Sequence, residues 1–154
     1  MDFHLNLNTE TVDHTHPAKP LCVDPKATIG EVFKLLKSER TGGVMICREG
    51  VLVGVFTERD ALKLMANGCD FNAPIATVMT AKPVTVHARE TVSSAINRMA
   101  SGGYRRLPMV NDTGKPIGVV KVSGILRYLV EHFPRAIYTL PPEPNQTMKE
   151  RDGA

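Results

Sequence analysis

The feature that most constrains this chain is an internal repeat. Pro20-Leu21-Cys22-Val23 returns as Pro83-Val84-Thr85-Val86, and Thr28-Ile29 returns at the same offset as Thr91-Val92. Leu52-Val53-Gly54-Val55-Phe56 returns as Pro116-Ile117-Gly118-Val119-Val120, displaced by one residue inserted in the preceding turn. A unit of about 63 residues therefore occurs twice in a chain of 154, and such self-similarity decides architecture before any local reading. Either copy alone would bury too little apolar surface to be comfortably stable. The two copies are expected to support each other.

Each copy carries the same local signals. Short strands are expected near residues 21–23 and 84–86. Ile29, Val32, Phe33 and Leu36 then share one helical face, as do Val92, Ala95, Ile96 and Met99, because apolar residues at i, i+3, i+4 and i+7 line up on a helix. Thr28 and Glu31 form a T-x-x-E capping box, and Thr91 can cap the second copy's helix. Gly42-Gly43 and Gly102-Gly103 are expected to end these helices. Two strands follow, at 44–47 and 51–56 in copy one and at 107–110 and 117–120 in copy two. Arg48-Glu49-Gly50 and Asn111-Asp112-Thr113-Gly114 join them with turn chemistry. A last helix is marked by Ala61, Leu64 and Met65, and by Leu126, Leu129, Val130 and Phe133.

The expected fold class is α/β (α+β): two pseudo-symmetric β-α-β-β-α repeats packed sheet to sheet, since a small sheet needs both faces covered. The expected division is an N-terminal extension at 1–16, repeat one at 17–74, repeat two at 75–135 and a C-terminal tail at 136–154. Phe3, Leu5 and Leu7 alternate and could form a short strand. The tail, with Pro141-Pro142-Glu143-Pro144, reads as disordered.

Composition narrows the function. The net charge of +3 and the 5% aromatic content argue against nucleic acid, which asks for a concentrated basic stripe and stacking surfaces. No apolar run approaches the roughly 20 residues that span a bilayer, and Met1-Asp2-Phe3-His4-Leu5-Asn6 lacks the apolar centre of a signal peptide. Cys22, Cys47 and Cys69 suggest neither a disulfide framework nor a zinc site, and Cys47 reads as a small buried hydrophobe. Reduced thiols fit the cytoplasm. His14-Thr15-His16 could chelate a metal only with a third ligand that the sequence does not place. There is no nucleophile elbow, P-loop or H-E-x-x-H, so no catalytic constellation is legible.

The repeated pattern resembles the tandem CBS-domain family, the cystathionine β-synthase-type pairs also called Bateman modules. The resemblance runs from about Pro17 to Pro134. It is carried by Val78-Met79-Thr80, Pro83-Val84-Thr85-Val86, Gly103-Tyr104-Arg105-Arg106-Leu107-Pro108-Met109-Val110 and, above all, Gly54-Val55-Phe56-Thr57-Glu58-Arg59-Asp60. It implies a non-catalytic regulatory module that needs no cofactor. Such pairs bind AMP, ADP, ATP, S-adenosylmethionine or a dinucleotide, often as homodimers, and report the signal, energy state included, to a separate regulated protein. A ligand-independent dimerisation scaffold is the alternative.

The resemblance also implies site residues. Thr57 and Asp60 would hold the ribose, since a carboxylate accepts from two neighbouring hydroxyls; the same residues also suit a helix cap. Copy two has Lys121 and Gly124 at those places, so one nucleotide per chain is expected. Lys121 would meet a phosphate or stay solvated. Arg105 and Arg106 would reach phosphates with planar, bidentate guanidinium groups. Thr41 and Gly42 stand near their places in copy one, so an arginine must reach across from the facing copy. Val23, Val44 and Met45, or Thr85, Val86 and Pro108, would line the base pocket or belong to the plain core.

Overall fold

A computed structural model describes residues 7–132. Repeat one holds β1 (Cys22–Val23), α1 (Ile29–Glu39), β2 (Gly43–Arg48), β3 (Val51–Thr57) and α2 (Glu58–Asn67). A bridging strand β4 (Thr80–Ala81) follows. Repeat two holds β5 (Val86–His87), α3 (Val92–Gly102), β6 (Arg106–Val110), β7 (Pro116–Lys121) and α4 (Val122–His132). The fold is α+β with two mixed sheets, ordered β1-β2-β3-β4 and β5-β6-β7.

The repeat extends to the register. Val23 pairs with Ile46 and Val86 with Met109, both in parallel; Ile46 opposes Gly54 and Met109 opposes Gly118 in the antiparallel hairpins. Even the register shift recurs, after Ile46 and after Met109. The two cores match position by position. Ile29, Val32, Leu36 and Phe56 fill one; Val92, Ala95, Met99 and Val120 fill the other. Where copy one has a large Phe56 beside a small Ala61, copy two has Val120 beside Ile125. That exchange conserves volume, which close-packed interiors tolerate best.

The local signals act as physical chemistry requires. The Thr28 N–H donates to Glu31 Oε2 at 2.8 Å while Thr28 Oγ1 accepts from the Glu31 N–H at 3.1 Å. Thr91 Oγ1 accepts from the Ser94 N–H. One expectation needs correction. Gly42-Gly43 does not end α1, which stops at Glu39 with Arg40 in the left-handed region at φ 50. The glycine pair instead leads into β2, where the facing repeat comes close.

The repeats also exchange their lead-in segments. Residues 70–79 precede repeat two but pack on repeat one: the Ile75 N–H donates to Ala27 O and the Ile29 N–H to Ala73 O. Residues 7–16 precede repeat one but pack on repeat two: the Val12 N–H donates to Glu90 O and the Val92 N–H to Glu10 O. Val12 and Ile75 are both fully buried, each in the core of the other copy's sheet. The same crossing recurs at the sheet edges. β4 pairs with β3, and Ala18 makes an isolated bridge with Val119 in β7. Leu7, expected in a strand, is helical and buried in the second core; Phe3 and Leu5 lie outside the described residues, as does the expected C-terminal tail.

Candidate functional site

A cleft of about 610 Å³ opens between the two sheets, a size suited to a small ligand. Thr41–Met45, Val55 and Thr57–Asp60 line it from repeat one, with Ala18, Lys19 and Leu21 of the lead-in. Lys82–Val84, Gly103–Pro108, Val119 and Lys121 line it from repeat two.

Its most organised feature is the start of α2. Thr57 caps the helix and Asp60 closes a reciprocal capping box. Asp60 Oδ2 accepts from the Thr57 N–H at 2.9 Å and from Thr57 Oγ1 at 3.0 Å. The Asp60 N–H donates back to Thr57 Oγ1 at 3.4 Å. Asp60 Oδ1 accepts no hydrogen bond among the described residues. The cap therefore fixes the carboxylate through Oδ2 at the wall of the cleft and leaves Oδ1 as a spare acceptor, so capping and binding do not compete.

Arg106 faces this feature from the other repeat. A Cβ placed on Gly42 would overlap the Arg106 guanidinium; only a glycine lets the cation lie there. A Cβ on Gly43 would fall 3.5 Å from Thr57 Cγ2 and 3.6 Å from Arg106 Nη1, so the guanidinium and the capping threonine flank one point. Backbone bonds hold both loops in equivalent ways: the Glu58 N–H donates to Gly42 O and the Val122 N–H to Arg105 O, each at 3.0 Å.

The cleft is strongly basic. Lys19, Arg59, Lys82, Arg105, Arg106 and Lys121 line it, against the carboxylates of Glu58 and Asp60. None of the six cations forms an ion pair among the described residues, although Arg89, Arg98 and Arg127 elsewhere all do.

The second copy is different. Gly124 stands where Asp60 stands in copy one, and a Cβ there would lie 2.7 Å from the Thr15 backbone oxygen. The lead-in occupies the place that an acid would need. It is held there by the Thr15 Oγ1–Val12 O bond at 2.6 Å, by His16 Nε2 against Glu131 at 2.7 Å, and by Tyr128. Burial and a hydrogen bond to Glu10 push the Tyr128 phenol up to about 12. His14 lies 3.5 Å from Glu10 while His16 pairs with Glu131, so the two histidines have separate carboxylate partners.

Thr57, Asp60, Arg105, Arg106, Lys121, Val44, Met45 and Pro108 thus come together on one cleft. Val23, Thr85 and Val86 do not, which corrects their place in the expected base pocket. Val86 is fully buried in the second core and Val23 packs against the first. The Thr85 carbonyl accepts from Arg98 Nη1. The residues one or two places earlier, Leu21 and Val84, line the cleft instead. Sequence reading also missed Lys19, Lys82 and Tyr104; the lysine pair is signalled by its repeat spacing.

The family model described as CBS domain matches this chain twice, at residues 14–67 and 75–131. The CBS domain-containing protein YhcV of Bacillus subtilis is 32% identical over 116 residues, covering 75% of this chain and 82% of that protein. A solved CBS domain protein of Pyrobaculum aerophilum, PAE2072, complexed with AMP, superimposes with a TM-score of 0.70 at 25% identity, covering 79% of this chain and 98% of that one. The CBS domain pair of protein MJ0100, in complex with 5'-methylthioadenosine and S-adenosyl-L-methionine, gives 0.69 at 26% identity, covering 76% and 97%.

Proposed function

Because the chain belongs to the CBS domain family and carries two such domains in tandem, we propose that it is a non-catalytic regulatory module that binds an adenine nucleotide between them. One observation carries the reading: the capping box fixes Asp60, with Oδ1 unbonded among the described residues, on the wall of a cleft that Arg106 lines from the other repeat. A carboxylate oxygen suits ribose hydroxyls, and a guanidinium suits phosphate. The AMP held by the PAE2072 protein supports the same ligand class. Ligand would act by its differential affinity for two arrangements of the repeats, signalling to a separate chain.

Thermal shifts against AMP, ADP, ATP, S-adenosylmethionine and NAD test this. A ligand at about 100 times its Kd adds roughly 2.7 kcal/mol, which raises the melting temperature by about 5–10 °C in a chain of this size. Asp60→Asn keeps an acceptor for the Thr57 N–H and removes the charge. It is expected to abolish most of the shift while the unliganded protein melts nearly unchanged. No shift with any ligand would favour a scaffold, and the Thr57–Asp60 pair would be a helix cap alone.

The module is also proposed to form a homodimer through α2 and α4. Leu62 and Met65 on α2 are 65% and 58% exposed, and Leu126 and Val130 on α4 are 56% and 40% exposed. The two helices are repeat equivalents with matching apolar faces, so α2 of one subunit can pack on α4 of the other in a self-complementary, isologous contact. Leu62→Glu with Leu126→Glu is expected to halve the mass seen by sedimentation equilibrium. An unchanged dimer would place the interface elsewhere. The free thiols Cys22, Cys47 and Cys69 fit a reducing cytoplasm. Burial and the neighbouring Cys22 thiol push Cys47 up to about 12, which keeps it protonated and unreactive.

A further inference from the structure

We infer that the cleft selects an adenine nucleotide with two or three phosphates over the monophosphate, and excludes S-adenosylmethionine. This rests on the nucleotide reading above and narrows its ligand.

The first reason is the placement of charge beyond the ribose clamp. Arg106 flanks Thr57, where a first phosphate would emerge. The basic wall then continues into an adjoining recess of about 280 Å³, lined by Arg105, Arg106, Lys121, Val122 and Ser123. One phosphate beside the clamp can engage Arg106. It leaves Arg105 and Lys121 without an anion.

The second reason is that these cations oppose one another. Arg106 and Lys121 are directly paired across the β6–β7 hairpin. Like charges in opposed positions destabilise a sheet, and neither side chain has a carboxylate partner among the described residues. A polyanion would relieve that repulsion, and each added phosphate adds charge-assisted hydrogen bonds. The third reason is exclusion. Six cations face two carboxylates in the cleft, and one of the two, Asp60, is assigned to the ribose in this reading. S-adenosylmethionine brings a sulfonium and an ammonium into that field against a single carboxylate, a net positive charge, and has no phosphate to offer it.

Isothermal titration of the full chain with ATP, ADP, AMP and S-adenosylmethionine, in EDTA, tests the inference. ATP or ADP is expected to bind at least about tenfold more tightly than AMP, the equivalent of one hydrogen bond to a charged group. S-adenosylmethionine is expected to give no saturable heat. The double variant Arg105→Ala with Lys121→Ala is expected to bring the AMP-to-ATP ratio of Kd values to about one. Raising the salt should weaken ATP binding more steeply than AMP binding. Equal affinity for AMP and ATP in the wild type would overturn the inference and leave the nucleotide reading standing. So would saturable S-adenosylmethionine binding, or a ratio unmoved in the double variant. Binding of no nucleotide at all would sink both.

Discussion

Truncating the chain before Pro17 is expected to unfold the second repeat ahead of the first. The deleted segment precedes repeat one, so linear order suggests the opposite. Its contacts decide otherwise. Leu7 and Val12 are buried in the core of Val86, Val92, Met99 and Ile125, and each fully buried aliphatic side chain is worth about 1.5–3 kcal/mol. The paired backbone bonds of Val12 with Glu90 and of Val92 with Glu10 go as well. A loss of about 3–6 kcal/mol is a large share of the ~5–15 kcal/mol that holds a domain together. The melting temperature should fall by about 10–20 °C. Hydrogen exchange locates the damage: amides of β6 and β7 should lose protection before those of β2 and β3. Ile75→Asp should produce the mirror image, exposing β2 and β3 first. Equal loss in both sheets would show that the lead-ins are not exchanged.

Gly124→Asp carries the second large effect. By sequence symmetry it restores the missing acid and should create a second ribose clamp. In the folded chain it drives a carboxylate against the Thr15 backbone oxygen, where even a Cβ would lie at 2.7 Å. The oxygen belongs to a segment pinned by Val12 and Glu131, so it cannot retreat cheaply. A destabilisation of about 3 kcal/mol is expected from overpacking and an unpaired acceptor. Denaturant titration measures it, and calorimetry should still find one nucleotide per chain. A stable variant binding two would mean that the lead-in yields and that the second site is latent.

These two effects mark where sequence reading stopped. The helix faces and the Thr28 and Thr91 caps were legible because they depend on residues within a few positions of one another, and the repeat because those local patterns recur at a fixed offset. The exchange of lead-ins was not. Residues 7–16 and 70–79 share an apolar anchor, Val12 and Ile75, but little side-chain identity. β4 is two residues long, too short for alternation to register. A division that sets 1–16 aside as an extension does not capture the packing of residues 7–16 on repeat two.

The site divides in the same way. Thr57 and Asp60 could be found because the cap and the clamp use one local motif. Arg106 could be placed opposite them only by assuming that the facing copy reaches across; its guanidinium lies against Gly42. Val23, Thr85 and Val86 could not be sorted from Leu21 and Val84 by pattern. A slip of one or two residues at the start of a short strand changes which side chain meets the cleft. The absence of an acid in copy two was visible; that a backbone oxygen fills its place was not.

The Asp60 clamp and the Arg106 guanidinium are expected to hold one nucleotide between the repeats. Titrating nitrogen-15-labelled protein with ADP tests it most directly, because both walls report at once. Saturating shifts are expected at the Thr57 and Asp60 amides together with the Arg106 side-chain Nε, at one shared affinity. Shifts confined to one repeat, or saturable binding that leaves these three signals unmoved, would contradict it.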